Sequence, residues 1–453
     1  MATQPCAAPT IKPGTRLELF DTSAAFLPRG GATLQYEGMV SYQEVTHDCR
    51  HRDALDSVAD VLETSRPRDC FDRDHRVDMR LLESSTHDPP VTTRGPRVLV
   101  VGETNTGKWT TTRTLANFAL ARNWVPTLVD LNIGQCGLSV PGSVAARALW
   151  YDTCASTLTV DTALTETVPR RFFYGSVDMA WNPVRMRHCI DLLAREVNDW
   201  LARMNASGCV INTCGWINGL GLEILFHAIQ CFGIDHVVVL DPDNGDSSAN
   251  CADTENLMRK LTYAFGNRLR IHAVPKSSGV VVRDKGMRQA RRQVKIREYF
   301  QGRLVIGTTA TILSTVDATY QIQGELELYE FVEARDKSPA AKPKFSGFAG
   351  SSKRPRREIA TTPQHLQVRR LQQFDPEKLR GMIAAWLAAP PYTSDARRDV
   401  QSTWVLSAPV IAFLEVKHVK LLEAEITLSQ PSSLRTKLPR DNNCLLVDKI
   451  QRK

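Results

Sequence analysis

Seven residues, Gly102-Glu-Thr-Asn-Thr-Gly107-Lys108, have the types and spacing to hold a phosphate. They follow the apolar run RVLVV (97–101) and precede a segment of helical composition, 109–122. Two glycines let the backbone curl until several N–H groups point inward. The helix start adds a favourable dipole, and the lysine adds a point charge. A plain tight turn between strand and helix is the alternative. The loop departs from a complete phosphate-binding signature at its end. A Ser or Thr hydroxyl normally follows the lysine and ligates Mg²⁺, but here the position holds Trp109. An indole offers one N–H and no oxygen. Thr110 comes next, yet one helical step turns a side chain by about 100°. The candidate ATP-binding residues are therefore Gly102, Glu103, Thr104, Asn105, Thr106, Gly107, Lys108, Trp109 and Thr110, with Mg²⁺ poorly held.

Three more groups could take part. Asp130-Leu-Asn132-Ile-Gly-Gln135 ends a second apolar run, 127–131. A carboxylate at a strand end can hold Mg²⁺ or activate a nucleophile, so Asp130 is a weak metal candidate. Capping a turn is its other role. Asn132 lies two residues on and shares its face, but an amide is no base. Thr213-Cys-Gly-Trp216 ends a third run, 208–213. A tryptophan there could stack on a base or sit in the core. In 280–302, Arg288, Arg291, Arg292 and Lys295 fall at i, i+3, i+4 and i+7, on one helical face. No acid interrupts 287–297, which favours phosphate or RNA backbone as the partner.

The elements that must carry these groups follow from patterning. The apolar runs at 97–101, 127–131, 208–213, 236–241 and 270–274 read as strands buried on both faces. Helical stretches at 183–205, 219–232 and 253–264 lie among them. This alternation predicts a mostly parallel sheet with helices on both sides. Earlier, short apolar pieces between 15 and 45 suit small strands, and 53–65 suits a helix followed by a connector. Later, 304–306, 320–328, 410–415 and 418–428 suit strands. Between them, 334–365 is rich in Pro, Gly, Ser and Lys and predicts a disordered insertion. Its block KRPRR (353–357) reads either as a nuclear-import signal or as a solvated charge run.

Composition sets the outer limits. The 453 residues carry 57 Lys and Arg against 49 Asp and Glu, and 42% are apolar. That excludes a mostly disordered chain. No stretch approaches the roughly 20 apolar residues of a membrane span, and the first residues have no apolar core, so an intracellular protein is expected. Eleven cysteines without any C-x-x-C pair read as reduced thiols. His47, Cys49 and His51, with Cys70 and His75, lack the paired half of a zinc module and read more simply as polar surface.

The segments RGPRVLVVGETNTGKWT, PTLVDLNIGQCGLSVPGSVA, SGCVINTCGWINGLG and PKSSGVVVRDKG with KIREYFQG, covering most of 94–302, resemble the Clp-one family. Its members are polynucleotide-kinase-like subunits of the pre-mRNA 3′-end cleavage and polyadenylation factor, and include RNA 5′-hydroxyl kinases. APVIAFLEVKHVKLLEAEITLSQP is similar too, as is 15–40. The resemblance places Asn132 and Gln135 on a D-x-x-Q motif whose Asp activates the RNA hydroxyl. It places Thr213 and Trp216 on a clasp for the RNA end. Arg288, Arg292 and Lys295 fall on the lid, with Lys295 where active members carry Arg. Trp109 and Asn132 replace the metal ligand and the base together, so no catalytic residue is assigned. The resemblance implies an α/β protein in three parts. These are a small amino-terminal β domain with connector (1–93), a central P-loop NTPase-type parallel sheet (94–305) and a mainly β domain (306–453). It further implies a nuclear, ATP-binding scaffold in mRNA processing, in contact with other cleavage-factor subunits and RNA and with no membrane. An active RNA 5′-hydroxyl kinase using Thr110 and Asp130 instead is the alternative, and an unrelated P-loop switch ranks last.

Overall fold

The computed structural model describes residues 50–66, 94–122, 124–149, 169–203, 207–241, 249–277, 279–301, 315–321, 327–331, 368–370, 375–380, 382–388, 406–420, 425–431 and 444–451. The expected amino-terminal strands, the group from His47 to His75 apart from His51, strand 304–306 and the insertion 334–365 lie outside these residues. The first element is α1 (Arg50–Thr64). Then come β1 (Arg97–Gly102), α2 (Lys108–Leu120), β2 (Thr127–Asp130), β3 (Ser143–Ala148) and β4 (Arg170–Phe173). α3 (Pro183–Arg203), β5 (Cys209–Asn212), α4 (Leu220–Phe232), β6 (His236–Asp241), α5 (Ala249–Phe265), β7 (Arg270–Pro275) and α6 (Lys285–Gln301) complete the central unit. Among the described residues, no helix is long and apolar enough to cross a membrane.

Seven strands form the central sheet in the order β4-β3-β2-β5-β1-β6-β7. β2, β5, β1, β6 and β7 run parallel, and β3 and β4 extend the sheet antiparallel beside β2. Strand alternation explains why 98–101 is apolar throughout. Leu99 and Val101 face a core filled from α3 and α4 by Ile190, Leu193, Val197, Ile224 and Ile229. Val98 and Val100 face the opposite core, closed by Leu115 and Leu120 of α2 and Leu55, Val58 and Leu62 of α1. The helix grouped by sequence with the amino-terminal region thus packs on the central sheet. His51 is tied to the Pro275 carbonyl at 2.7 Å, and Glu63 accepts the Trp124 indole N–H.

β8 (Thr315–Gln321), β9 (Glu327–Phe331), β10 (Val368–Arg370), β11 (Met382–Leu387), β12 (Val410–Lys420), β13 (Glu425–Pro431) and β14 (Cys444–Gln451) build a second sheet. Its order is β10-β9-β14-β11-β12-β13-β8. The single strand expected over 320–328 is two strands, β8 and β9, on opposite sides of this sheet. The two sheets share a core. Ile296 and Phe300 of α6 and Phe173 of β4 pack with Ile383, Ala385 and Phe413. Arg185, buried at this junction, donates to the Leu406 and Phe173 carbonyls at 2.5 and 2.7 Å. Arg185→Met should strip both carbonyls of their charged donor and destabilise the protein by about 1–3 kcal/mol. An unchanged denaturation midpoint would contradict this role.

Candidate functional site

In an open parallel sheet, ligands gather beyond the carboxyl ends of the strands. β1 is central, and its end feeds the loop 103–107. Asn105 and Gly107 take left-handed φ values of 64° and 88°. Gly102 has φ 153°, and a Cβ there would stand 2.9 Å from the Leu240 carbonyl oxygen. Thr106 closes the curl by donating to the Glu103 carbonyl at 2.9 Å. Inside it lies the Lys108 ammonium, which donates to the Gly102 carbonyl at 2.9 Å and to the Glu103 carbonyl. Burial pulls its pKa down to about 8. Among the described residues the ammonium is held by carbonyls and a hydroxyl alone, and such a buried charge is a receptor for an anion. The loop, Lys108 and the start of α2 therefore fit the phosphates of a nucleotide.

The same geometry does not fit Mg²⁺. Trp109 lays its indole on the loop after β2, where a Cβ at Gly137 would meet ring atoms at 2.3–2.7 Å. The ring joins Cys136 and Leu138 in the apolar cluster beneath. Thr110 is exposed on the outer side of α2. Asp130 is 1% exposed, and both its oxygens are taken. Oδ1 accepts from Asn132 N at 2.9 Å and Asn212 Nδ2 at 2.8 Å, and Oδ2 accepts from Gly137 N at 2.6 Å. Burial nevertheless pushes its pKa up. Asp130 thus takes the turn-capping role, and shapes the loop that carries Asn132, Gln135 and Gly137. Asn132 itself is half-buried.

The other candidates converge on this loop. Thr213 donates to the Val100 carbonyl at 2.8 Å, pinning β5's end to β1. Gly215 lies flat on the phosphate loop, where a Cβ would approach Thr104 N and Cα to 2.7 Å. Trp216 is 39% exposed rather than in the core. The segment before α6 crosses the loop from above: Val280 Cγ2 would stand 2.9 Å from a Cβ at Gly107, and Asn105 donates to the Arg283 carbonyl at 3.3 Å. Gln135 reaches the Arg288 carbonyl at 3.2 Å. Arg288, Arg291, Arg292 and Lys295 are half-buried on α6. Burial, then Arg288, lowers the Arg292 pKa, while Lys295 pairs with Glu298 at 3.1 Å.

Asn212, Gly137 and Val280 escaped the sequence reading. Asn212 stands one residue before the Thr213 motif, at the strand end where such residues gather, and that position was its only signal. Gly215→Ala should displace the phosphate loop and weaken nucleotide binding by about 5–100-fold, the usual range for overpacking. Calorimetric titration with ATP measures it, and unaltered affinity would refute the contact.

A parallel sheet with this loop at its central strand and a basic helix laid across it defines a P-loop nucleotide-binding domain. Residues 102–302 match the family described as mRNA cleavage and polyadenylation factor CLP1 P-loop. Over these residues the chain is similar to the P-loop domain of the Clp1 family. Over 215 residues the chain is 37% identical to zebrafish (Danio rerio) polyribonucleotide 5′-hydroxyl-kinase Clp1, covering 46% of this chain and 44% of that one. The human protein of that name gives 37% over 212 residues, 46% of each. An Arabidopsis thaliana CLP1 homolog gives 32% over 278 residues, 60% of this chain and 55% of that one. The alignments thus span about half the length of these relatives. A solved Clp1p chain, from a Clp1p–Pcf11p complex, superposes with a TM-score of 0.60 at 18% identity, over 88% of this chain and 79% of its own.

Proposed function

We propose that this chain is a nucleotide-holding but catalytically silent Clp1-type subunit of the machinery for pre-mRNA 3′-end cleavage and polyadenylation. The observation that carries this reading is the Trp109 indole seated on Gly137, where a metal-binding hydroxyl would stand. The phosphate cradle around Lys108 survives intact, so ATP is held while the chemistry is lost. Asn132 supports the same reading, because an amide keeps a carboxylate's shape without its basicity. RNA is the second ligand, met by Gln135, Thr213, Trp216, Arg288, Arg292 and Lys295. The partner is a cleavage-factor subunit of the Pcf11 kind, since the solved neighbours are Clp1p–Pcf11p complexes. The nucleus is the place of action, consistent with KRPRR at 353–357.

The RNA 5′-hydroxyl kinase reading is favoured by the names of the relatives. It requires Thr110 and Asp130 as substitutes, and the exposure of one and the burial of the other beneath three N–H donors count against them. Calorimetry should show ATP binding, and a tagged copy should concentrate in nuclei and copurify with cleavage-factor subunits. Absence of ATP binding, or a purely cytosolic tag, would defeat this reading.

A further inference from the structure

We propose that Asp191, His227 and Cys231 form a zinc-class metal site between α3 and α4, apart from the nucleotide site. His227 and Cys231 lie one turn apart on α4, so ring and thiol share a face. Asp191 meets them from α3. One ligand atom from each lies within 4.8 Å of the others. Asp191 Oδ1 is 2.7 Å from His227 Nε2 and 3.1 Å from Cys231 Sγ, and Sγ lies 3.5 Å from Nε2. Zinc bonds of about 2.0–2.3 Å in a tetrahedron set donors about 3.3–3.8 Å apart. The three atoms need to spread by less than an ångström, which side-chain torsions supply.

The backbone around them is already fixed. One turn earlier, Arg187 donates to Glu223 at 2.7 Å across the same helices. One level later, Asn198 Nδ2 donates to the Cys231 carbonyl at 3.1 Å. Ties above and below hold the helix spacing, as supporting contacts do in metal sites. Asp191 and His227 side chains keep 32% and 25% exposure, so an ion and a fourth, water ligand can enter. Thiolate, imidazole and carboxylate together suit Zn²⁺ rather than Mg²⁺ or Ca²⁺. On binding, the thiol proton passes to solvent and Sγ bonds the metal. Cys231 lies eleven residues beyond the start of α4, roughly 16 Å from the ligand edge.

A hydrogen-bonded staple with no metal is the competing account, and cobalt separates the two. The full-length chain, stripped with chelator and kept reduced with a phosphine, is titrated with Co²⁺. One equivalent should give the visible bands of tetrahedral cobalt and a sulfur-to-metal charge-transfer band, both removed by Zn²⁺. Cys231→Ser, whose hydroxyl can still donate to Asp191, should lose the charge-transfer band. His227→Ala should weaken binding at least about tenfold. No charge-transfer band in the unaltered chain, or an undiminished band in Cys231→Ser, overturns the proposal.

Discussion

A 5′-hydroxyl RNA oligonucleotide mixed with the purified chain, ATP and Mg²⁺ should gain no γ-phosphate. Phosphoryl transfer depends on Mg²⁺ to neutralise the β- and γ-oxygens and on a positioned group to orient or deprotonate the attacking hydroxyl. Trp109 supplies no oxygen at the first position and fills it with a ring pressed on Gly137. Asn132 supplies no base at the second. Asp130 is poorly placed to step in, because it is 1% exposed and three N–H donors already hold its two oxygens in the loop. Each loss removes at least ~10²-fold of rate. Trp109→Ser with Asn132→Asp should restore transfer by about 10²-fold or more over background, and either change alone should restore little, since metal and base act on one transition state. The serine leaves space against Cys136 and Leu138, so a thermal melt must first show the double variant folded. Ordinary turnover by the unaltered chain, abolished by Lys108→Ala, would end the silent-subunit reading.

How far the sequence alone reached depended on what each residue owed to its neighbours in sequence. VLVV (98–101) announced β1 because the part of a strand covered on both faces must be apolar at every position. The loop was legible because curl, charge and helix start are all local. The strands β3 and β4 gave no such signal. SVAARA is half Ala, which has weak strand preference, and it is held as a strand by pairing with β2 and β4. Likewise, nothing local says that β8 and β9 part to different sides of the second sheet. Asp130 looked equally like a metal ligand and a turn cap. Only the folded chain brings Asn212 and Gly137, 82 and 7 residues away, onto its two oxygens. Trp109 was visible as a loss of oxygen, but its landing place on Gly137 was not, because that contact joins two loops from different strands.

Lys108 should set stability and nucleotide affinity against each other. Its ammonium is buried with no carboxylate in contact among the described residues, and its pKa falls from 10.5 to about 8. A lysine lowered in the folded state binds its proton less tightly there than in the unfolded chain. Below pH 8 the nucleotide-free protein therefore carries the full penalty, about 3 kcal/mol. Between pH 8 and 10.5 the unfolded chain holds more protons, so this contribution to stability improves as pH rises. Lys108→Met should raise the melting temperature of the nucleotide-free protein at pH 7 and leave it nearly unchanged near pH 10.5. A phosphate in the cradle reverses the sign, since the anion favours the charged amine. ATP binding should consequently take up a proton near pH 8, seen as a buffer-dependent calorimetric heat. Affinity should fall by about tenfold for each pH unit above 8, until the raised pKa of the complex is reached. Lys108→Met should cut affinity by ~10²-fold and abolish the proton uptake. A variant that binds ATP normally, or that melts well below the unaltered chain at pH 7, would show that Lys108 is a structural cation rather than a phosphate ligand kept at the expense of stability.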